Sequence, residues 1–190
     1  MKIKPLILAI AATCTLASGA MAMTQAEYKA AKNTISTDYK AAKEKCGGLT
    51  ANAKDICMSE AKGSEKVAKA QAEAGYKPTA RNTEKVALAK ADAAYDTAKE
   101  KCDDLSGNAK DVCVKDAKAA HVRAKQDAKV TKVSSDSSNT RSDKVADARK
   151  DAAGEKREAD YKAARERCDA LDGAPKDACQ TDAKVKFGMK

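Results

Sequence analysis

The stretch Cys102-Asp-Asp-Leu105-Ser-Gly107-Asn-Ala-Lys110-Asp-Val-Cys113 decides the fold. Two cysteines with ten residues between them would stand roughly 16 Å apart on one continuous helix, at 1.5 Å of rise per residue. A disulfide needs Cα atoms about 4.4–6.8 Å apart, so a bond between these two requires the chain to turn back on itself. The intervening residues suit a turn: Ser106-Gly107 is a breaker pair, and Asn108 can cap the helix that follows. Lys99 and Lys101 put positive charge where a preceding helix would end, which its dipole favours. The stretch predicts two antiparallel helices stapled by Cys102–Cys113.

The unit occurs three times, as 39–62, 95–118 and 161–184, and the copies align without gaps. Ten of the 24 aligned positions are identical, including the first Tyr, both cysteines, the Leu of the turn and the closing Ala-Lys. Cys46–Cys57 and Cys168–Cys179 repeat the spacing, Gly47-Gly48 and Asp172-Gly173 the turn, and Lys43, Lys45, Arg165 and Arg167 the cationic helix end. Asn52 takes the cap position in the first copy, and Asp55, Asp111 and Asp177 fall three residues beyond the caps, near the positive end of each second helix. The third copy has Ala174 at the cap and then Pro175, which suits a first helical turn.

One face of each first helix is apolar. Leu88, Ala91, Tyr95, Ala98, Cys102 and Leu105 follow one another at intervals of three and four, a seam of heptad type. Tyr28, Ala31, Ile35, Tyr39, Ala42, Cys46 and Leu49 form the same seam, as do Tyr161, Ala164, Cys168 and Leu171. Antiparallel pairing sets Ala42 opposite Ala61, Ala98 opposite Ala117 and Ala164 opposite Ala183, where small residues allow close helix approach.

Residues 1–22 have the layout of a signal peptide. Lys2 and Lys4 precede an apolar run from Leu6 to Leu16, and Ala20-Met-Ala22 makes a small-residue cleavage site ahead of Met23. The run is too short to span a bilayer. Its removal takes Cys14 and leaves six cysteines, an even number that fits three disulfides in an oxidising, exported location, the periplasm. The remaining organisation is hairpin one at 23–77, hairpin two at 78–133, a flexible Ser-rich linker at 134–142 and hairpin three at 143–190. The expected fold is all-α: three disulfide-stapled antiparallel helical hairpins, coiled-coil-like and partly extended, with no strands.

Composition limits what such a chain can bury. Beyond residue 22 there are 16 Leu, Ile, Val and Phe residues and 36 alanines. That is little for an ordinary core and ample for helix propensity. A staple closing a loop of this length contributes roughly 2.5–3 kcal/mol by the chain-entropy estimate. Glu65–Lys69, Glu73–Lys77 and Glu158–Lys162 have the spacing of helix-stabilising ion pairs.

Catalytic and metal chemistry find no foothold in the residue pattern. Cys-x10-Cys lacks the Cys-x-x-Cys spacing of thiol redox sites, and a single His with no short-spaced ligands argues against zinc. His121 is expected on the solvated surface of a helix, the repeat tyrosines in the seams, and Asp103-Asp104 as turn punctuation. No catalytic residue, cofactor or metal is expected. Removing Lys2 and Lys4 from the 37 basic residues leaves 35 against 28 acidic, a net charge of about +7. Acidic residues interrupt the basic ones almost one for one, which disfavours nucleic acid and leaves modest attraction to anionic surfaces.

The Tyr-Lys-Ala-Ala-Lys-Glu-Lys-Cys46 and Gly107-Asn-Ala-Lys-Asp-Val-Cys113 stretches resemble exported Ala/Lys-rich helical proteins of Gram-negative, mainly betaproteobacterial, bacteria, labelled TolA-like or cell envelope biogenesis proteins. The resemblance spans the chain beyond the signal segment. It implies a periplasmic or envelope location and no catalytic residues. The membrane anchor and uninterrupted helix of TolA have no counterpart here. The hairpins also look like twin Cys-x9-Cys proteins, which carry two cysteines per helix where this chain carries one. The expected function is a non-enzymatic structural or interaction element of the cell envelope, partnered by an envelope protein. The alternatives are a binder of anionic lipid headgroups or lipopolysaccharide, and a periplasmic chaperone- or stress-like helical protein. No transmembrane segment is expected after cleavage.

Overall fold

The computed structural model describes residues 22–135 and 141–190. The signal-peptide assignment, with Ala20, lies outside them apart from Ala22, as does the centre of the Ser-rich linker. The linker's flanks, Ser134-Ser135 and Arg141-Ser142, are helical.

Six α-helices follow one another: α1 (Gln25–Cys46), α2 (Ala51–Tyr76), α3 (Ala80–Cys102), α4 (Gly107–Ser135), α5 (Arg141–Arg167) and α6 (Gly173–Phe187). A 3-10 turn, Cys168–Ala170, extends α5. α1 opens on a capping box, in which the Glu27 N–H donates to Thr24 Oγ1 and the Thr24 N–H donates to Glu27 Oε2 at 2.7 Å. The Thr79 hydroxyl caps α3 by accepting from the Asn82 N–H. α1 and α3 end at their cysteines with two cations in the last turn, as expected from the sequence.

The second helices begin two residues earlier than Asn capping would place them. Thr50 and Asp172 are the caps of α2 and α6, and the first helical residue in each copy, Ala51, Gly107 and Gly173, is left-handed at φ 47°, 54° and 61°. The tight reversal needs a left-handed residue there, and two copies supply glycine. The first supplies alanine, whose Cβ makes that conformation costly. Asn52 and Asn108 are thereby displaced into the first turn and freed from capping, and Asp55, Asp111 and Asp177 lie beyond it.

Packing contacts of any extent run between helices consecutive in sequence. The six helices thus form a single-layer ribbon of alternating direction, with the three stapled turns along one edge. Cys46–Cys57, Cys102–Cys113 and Cys168–Cys179 are bonded at Cα separations of 5.6, 5.7 and 5.7 Å. The expected seam on α1 is the one buried: Tyr28, Ala31, Ile35, Tyr39, Ala42 and Cys46 turn inward while the residues between them are exposed. Leu49, Leu105 and Leu171 depart from their seams. α1 and α3 stop at their cysteines and α5 gives way to the 3-10 turn at Cys168, and each Leu N–H donates to that cysteine's carbonyl, leaving the side chain 40–44% exposed at the edge.

Among the described residues the buried apolar side chains are all alanines and cysteines, and the fully buried ones are Cys46, Cys102 and Cys168. Between hairpins the approach is closer still. A Cβ on Gly63 would sit 2.7 Å from Ala93 Cβ, so α2 and α3 cross where only hydrogen fits. The buried Asn82 amide donates to the Lys77 carbonyl and fixes the short link from α2 to α3.

Candidate interaction surface

The repeat brings aromatic rings together across each stapled seam. Tyr95 stacks on His121 at 4.7 Å and 11°, Tyr161 meets Phe187 edge-on at 6.4 Å, and Tyr28 stacks on Tyr76 at 4.8 Å. His121 and Phe187 both stand 26 residues beyond their tyrosines, so they are the same repeat position. The expectation of a solvated His121 is therefore corrected. Its side chain is 17% exposed, and Nε2 lies 2.6 Å from the Asp92 carboxylate. The signal was present in the alignment, because Phe187 in a copy with the same seam marks a ring-packing position. In the first copy the position is Glu65, which pairs with Lys69 on its own helix.

Asn52 and Asn108 do something that local sequence reasoning missed. The Asn52 side-chain amide donates to the Glu100 carbonyl at 2.7 Å, and that of Asn108 to the Glu166 carbonyl at 3.1 Å. Each ties the start of one hairpin's second helix to the last turn of the next hairpin's first helix, and the Glu100 carbonyl takes the Asn52 amide beside the capping Asp103 N–H. Ala174 occupies this position in the third copy, and among the described residues α6 packs against α5 alone. Gly63, Ala119 and Val185 are a second such set: small where a neighbour packs, and 76% exposed at the free side of α6.

The turns are electrostatically tuned in the second and third copies. Asp103 pairs with Lys110, and Asp169 with Lys176, each at 2.9 Å. Hydrogen bonding to Asp103 holds the Lys110 ammonium above its ordinary pKa, as Asp169 does for Lys176, and the Lys176 hydrogen bond holds the Asp169 carboxyl below its own. The turn aspartates thus bind lysines as well as breaking helices. Of the ion pairs expected within helices, Glu65–Lys69 and Glu158–Lys162 form at 2.7 and 2.6 Å. Glu73 instead pairs with Lys85 across to α3.

Two repeat-equivalent grooves open on one face of the ribbon, at the seams between hairpins. One is bordered by Glu60, Gly63, Ala94 and Lys101, the other by Asp116, Ala119, Asp160 and Arg167. Their floors are small residues and their rims are paired charges, Lys101–Glu60 in the first, Arg167–Asp116 and Arg123–Asp160 in the second. A different set of charges lies along α4: Lys118, Lys125 and Lys129 are exposed at helical spacing and have no ion-pair partner among the described residues. Among the described residues no three His, Cys, Asp or Glu side chains converge as metal ligands would, and no helix is long and apolar enough to cross a membrane. Met23, the residue after the expected cleavage site, donates its N–H to the Gly75 carbonyl at 2.8 Å.

No family model, no curated protein and no solved structure matches the chain.

Proposed function

We propose that the protein is a non-enzymatic structural or interaction element of an exported compartment, a stapled ribbon that displays a periodic face to a partner in the cell envelope. The observation that carries this is the pair of equivalent grooves at the α2–α3 and α4–α5 seams. Two identical-register sites, two helices apart, suit a partner that is itself elongated or repetitive, and linked weak sites gain avidity without any one being strong. The three disulfides and the TolA-like resemblance support the periplasmic setting. The test is a photo-crosslinking residue placed in intact cells at Ala94 or Asp160 on the groove face, and at Thr34 on the exposed side of α1. Groove-specific crosslinks to one envelope protein support the reading, and equal crosslinking from Thr34 removes it.

A second reading, attachment to anionic headgroups or lipopolysaccharide, is favoured by the Lys118, Lys125 and Lys129 row. Binding to vesicles containing anionic lipid at low salt, abolished at high salt and by neutralising these three lysines, would support it. Absence of binding at low salt excludes it.

A further inference from the structure

The third hairpin is held differently from the other two. α6 has fifteen residues, against 26 in α2 and 29 in α4. It has one neighbour, and among the described residues its one ion pair towards α5 is Lys176–Asp169, at the stapled turn and not along the helices. α1 is also terminal, but its far end is closed by the Tyr28–Tyr76 stack and by the Met23 N–H on the Gly75 carbonyl. α4 is clamped on both sides, by Lys132–Glu84 towards α3 and Lys115–Glu166 towards α5. Cys168–Cys179 also borders the open groove of about 750 Å³ between α4, α5 and α6, with Arg123, Arg167 and Lys186 around it. Cys179 is half-buried where Cys168 is fully buried, as Cys57 and Cys113 are beside Cys46 and Cys102, so in every staple the second cysteine remains within reach of solvent and the third differs in the hold on its helix.

We propose that Cys168–Cys179 is a redox latch on the C-terminal helix: reduction by a dithiol frees α6 from α5 while the first two hairpins stay closed. The attacking species is a thiolate; Asp160 and Asp116 hold Arg123 and Arg167 in ion pairs, which leaves Lys186 as the groove's cation with no ion-pair partner among the described residues. The thiolate bonds to Sγ of Cys179, and Cys168 Sγ leaves as a thiolate and takes up a proton. The second thiol of the reductant, deprotonated, then displaces Cys179 from the mixed disulfide, and Cys179 is protonated in turn. Two protein thiols form, and the dithiol, having given up two electrons and two protons, closes to its own disulfide. With the bond gone, α6 retains the edge-on Tyr161–Phe187 contact, the buried Ala183 against α5 and the surface Lys176–Asp169 pair at the turn, too little to order a helix of fifteen residues. Its departure bares the Tyr161, Ala164 and Cys168 stripe of α5.

The full oxidised chain is treated with limiting dithiothreitol, acid-quenched and alkylated, and each cysteine pair is followed by peptide mapping with hydrogen exchange in parallel. Cys168 and Cys179 are expected to become alkylated about fivefold or more faster than the other pairs. The amides of 173–187 are expected to lose protection in step, while α1 and α4 keep theirs. Reduction of the third pair no faster than the others, or protection of α6 that survives it, overturns the latch. A chain carrying Cys168→Ser and Cys179→Ser tests the same point without reductant. Loss of protection confined to the third hairpin supports the proposal; unfolding of the whole chain, or an undiminished α6, overturns it.

Discussion

Across the stapled seams, α1–α2, α3–α4 and α5–α6, the partners are sulfur and aromatic rings. Across α2–α3 and α4–α5, which join one hairpin to the next, they are glycine, alanine, an asparagine amide and seven interhelical ion pairs. Across the stapled seams, among the described residues, Lys132–Glu84 pairs α4 with α3, the His121 ring meets the Asp92 carboxylate, and Asp103–Lys110 and Asp169–Lys176 close the turns. The contrast separates a unit from a joint. Within a hairpin a covalent bond shortens the unfolded chain's freedom, so little apolar area suffices. Between hairpins no such bond exists, and close backbone approach with polar latching takes its place.

Several substitutions would break or sharpen that contrast. The largest effect is expected from Cys102→Ala with Cys113→Ala, which should destabilise the α3–α4 seam by about 3 kcal/mol by the loop-entropy estimate. Denaturant unfolding with hydrogen exchange would measure it, and an unchanged midpoint would mean the ring stack and ion pairs suffice alone. Gly63→Leu attacks the joint instead. The added side chain meets Ala93 at once, and overpacking should cost about 1–3 kcal/mol with loss of protection centred on α2 and α3. The same change at Gly154, where an added Cβ meets nothing, should stabilise α5 by about 0.5–1 kcal/mol, the usual cost of a glycine inside a helix.

Asn108→Ala should cost about 1 kcal/mol by removing the bond to the Glu166 carbonyl, whereas Ala174→Asn should change nothing, having no neighbour to reach. Equal effects would show that the amide acts within its own hairpin. Ala51→Gly should raise the melting temperature, with a gain of about 0.5–1 kcal/mol from relieving the left-handed alanine. Raising salt should have the smallest effect, tenths of a kcal/mol per exposed pair, and should loosen α2–α3 and α4–α5 more than α1–α2. Site-resolved exchange at two ionic strengths checks that order.

How much of this was legible follows the same division. Hairpins announce themselves through a covalent constraint and an apolar period, so Tyr28, Ile35, Tyr39 and Cys46 could be turned inward from spacing alone. Joints leave no such trace. A Gly facing an Ala and an Asn reaching a carbonyl 48 or 58 residues away have no period, and Asn at a helix start looks equally like a cap. Telling the two apart needs the neighbour's position, which is why Asn52 and Asn108 were expected as caps and instead reach across to the next hairpin. The exposed leucines were misplaced for a related reason. The heptad count continues smoothly through Leu105, but the helix does not. On the candidate surface, the grooves arise from two hairpins meeting in register, and neither hairpin alone encodes them.

The alternating directions put all three staples on one edge, and the start of α1 and the end of α2, joined by the Tyr28–Tyr76 stack, on the other. Tension applied between the two ends of such a chain would peel each hairpin from its open side and halt at the cysteines. The ten residues between each pair, roughly 35 Å of extended contour, would never bear load. A stretched molecule would therefore lengthen in steps and keep three slack loops in reserve, each releasable only by chemistry and not by force of the ordinary non-covalent kind.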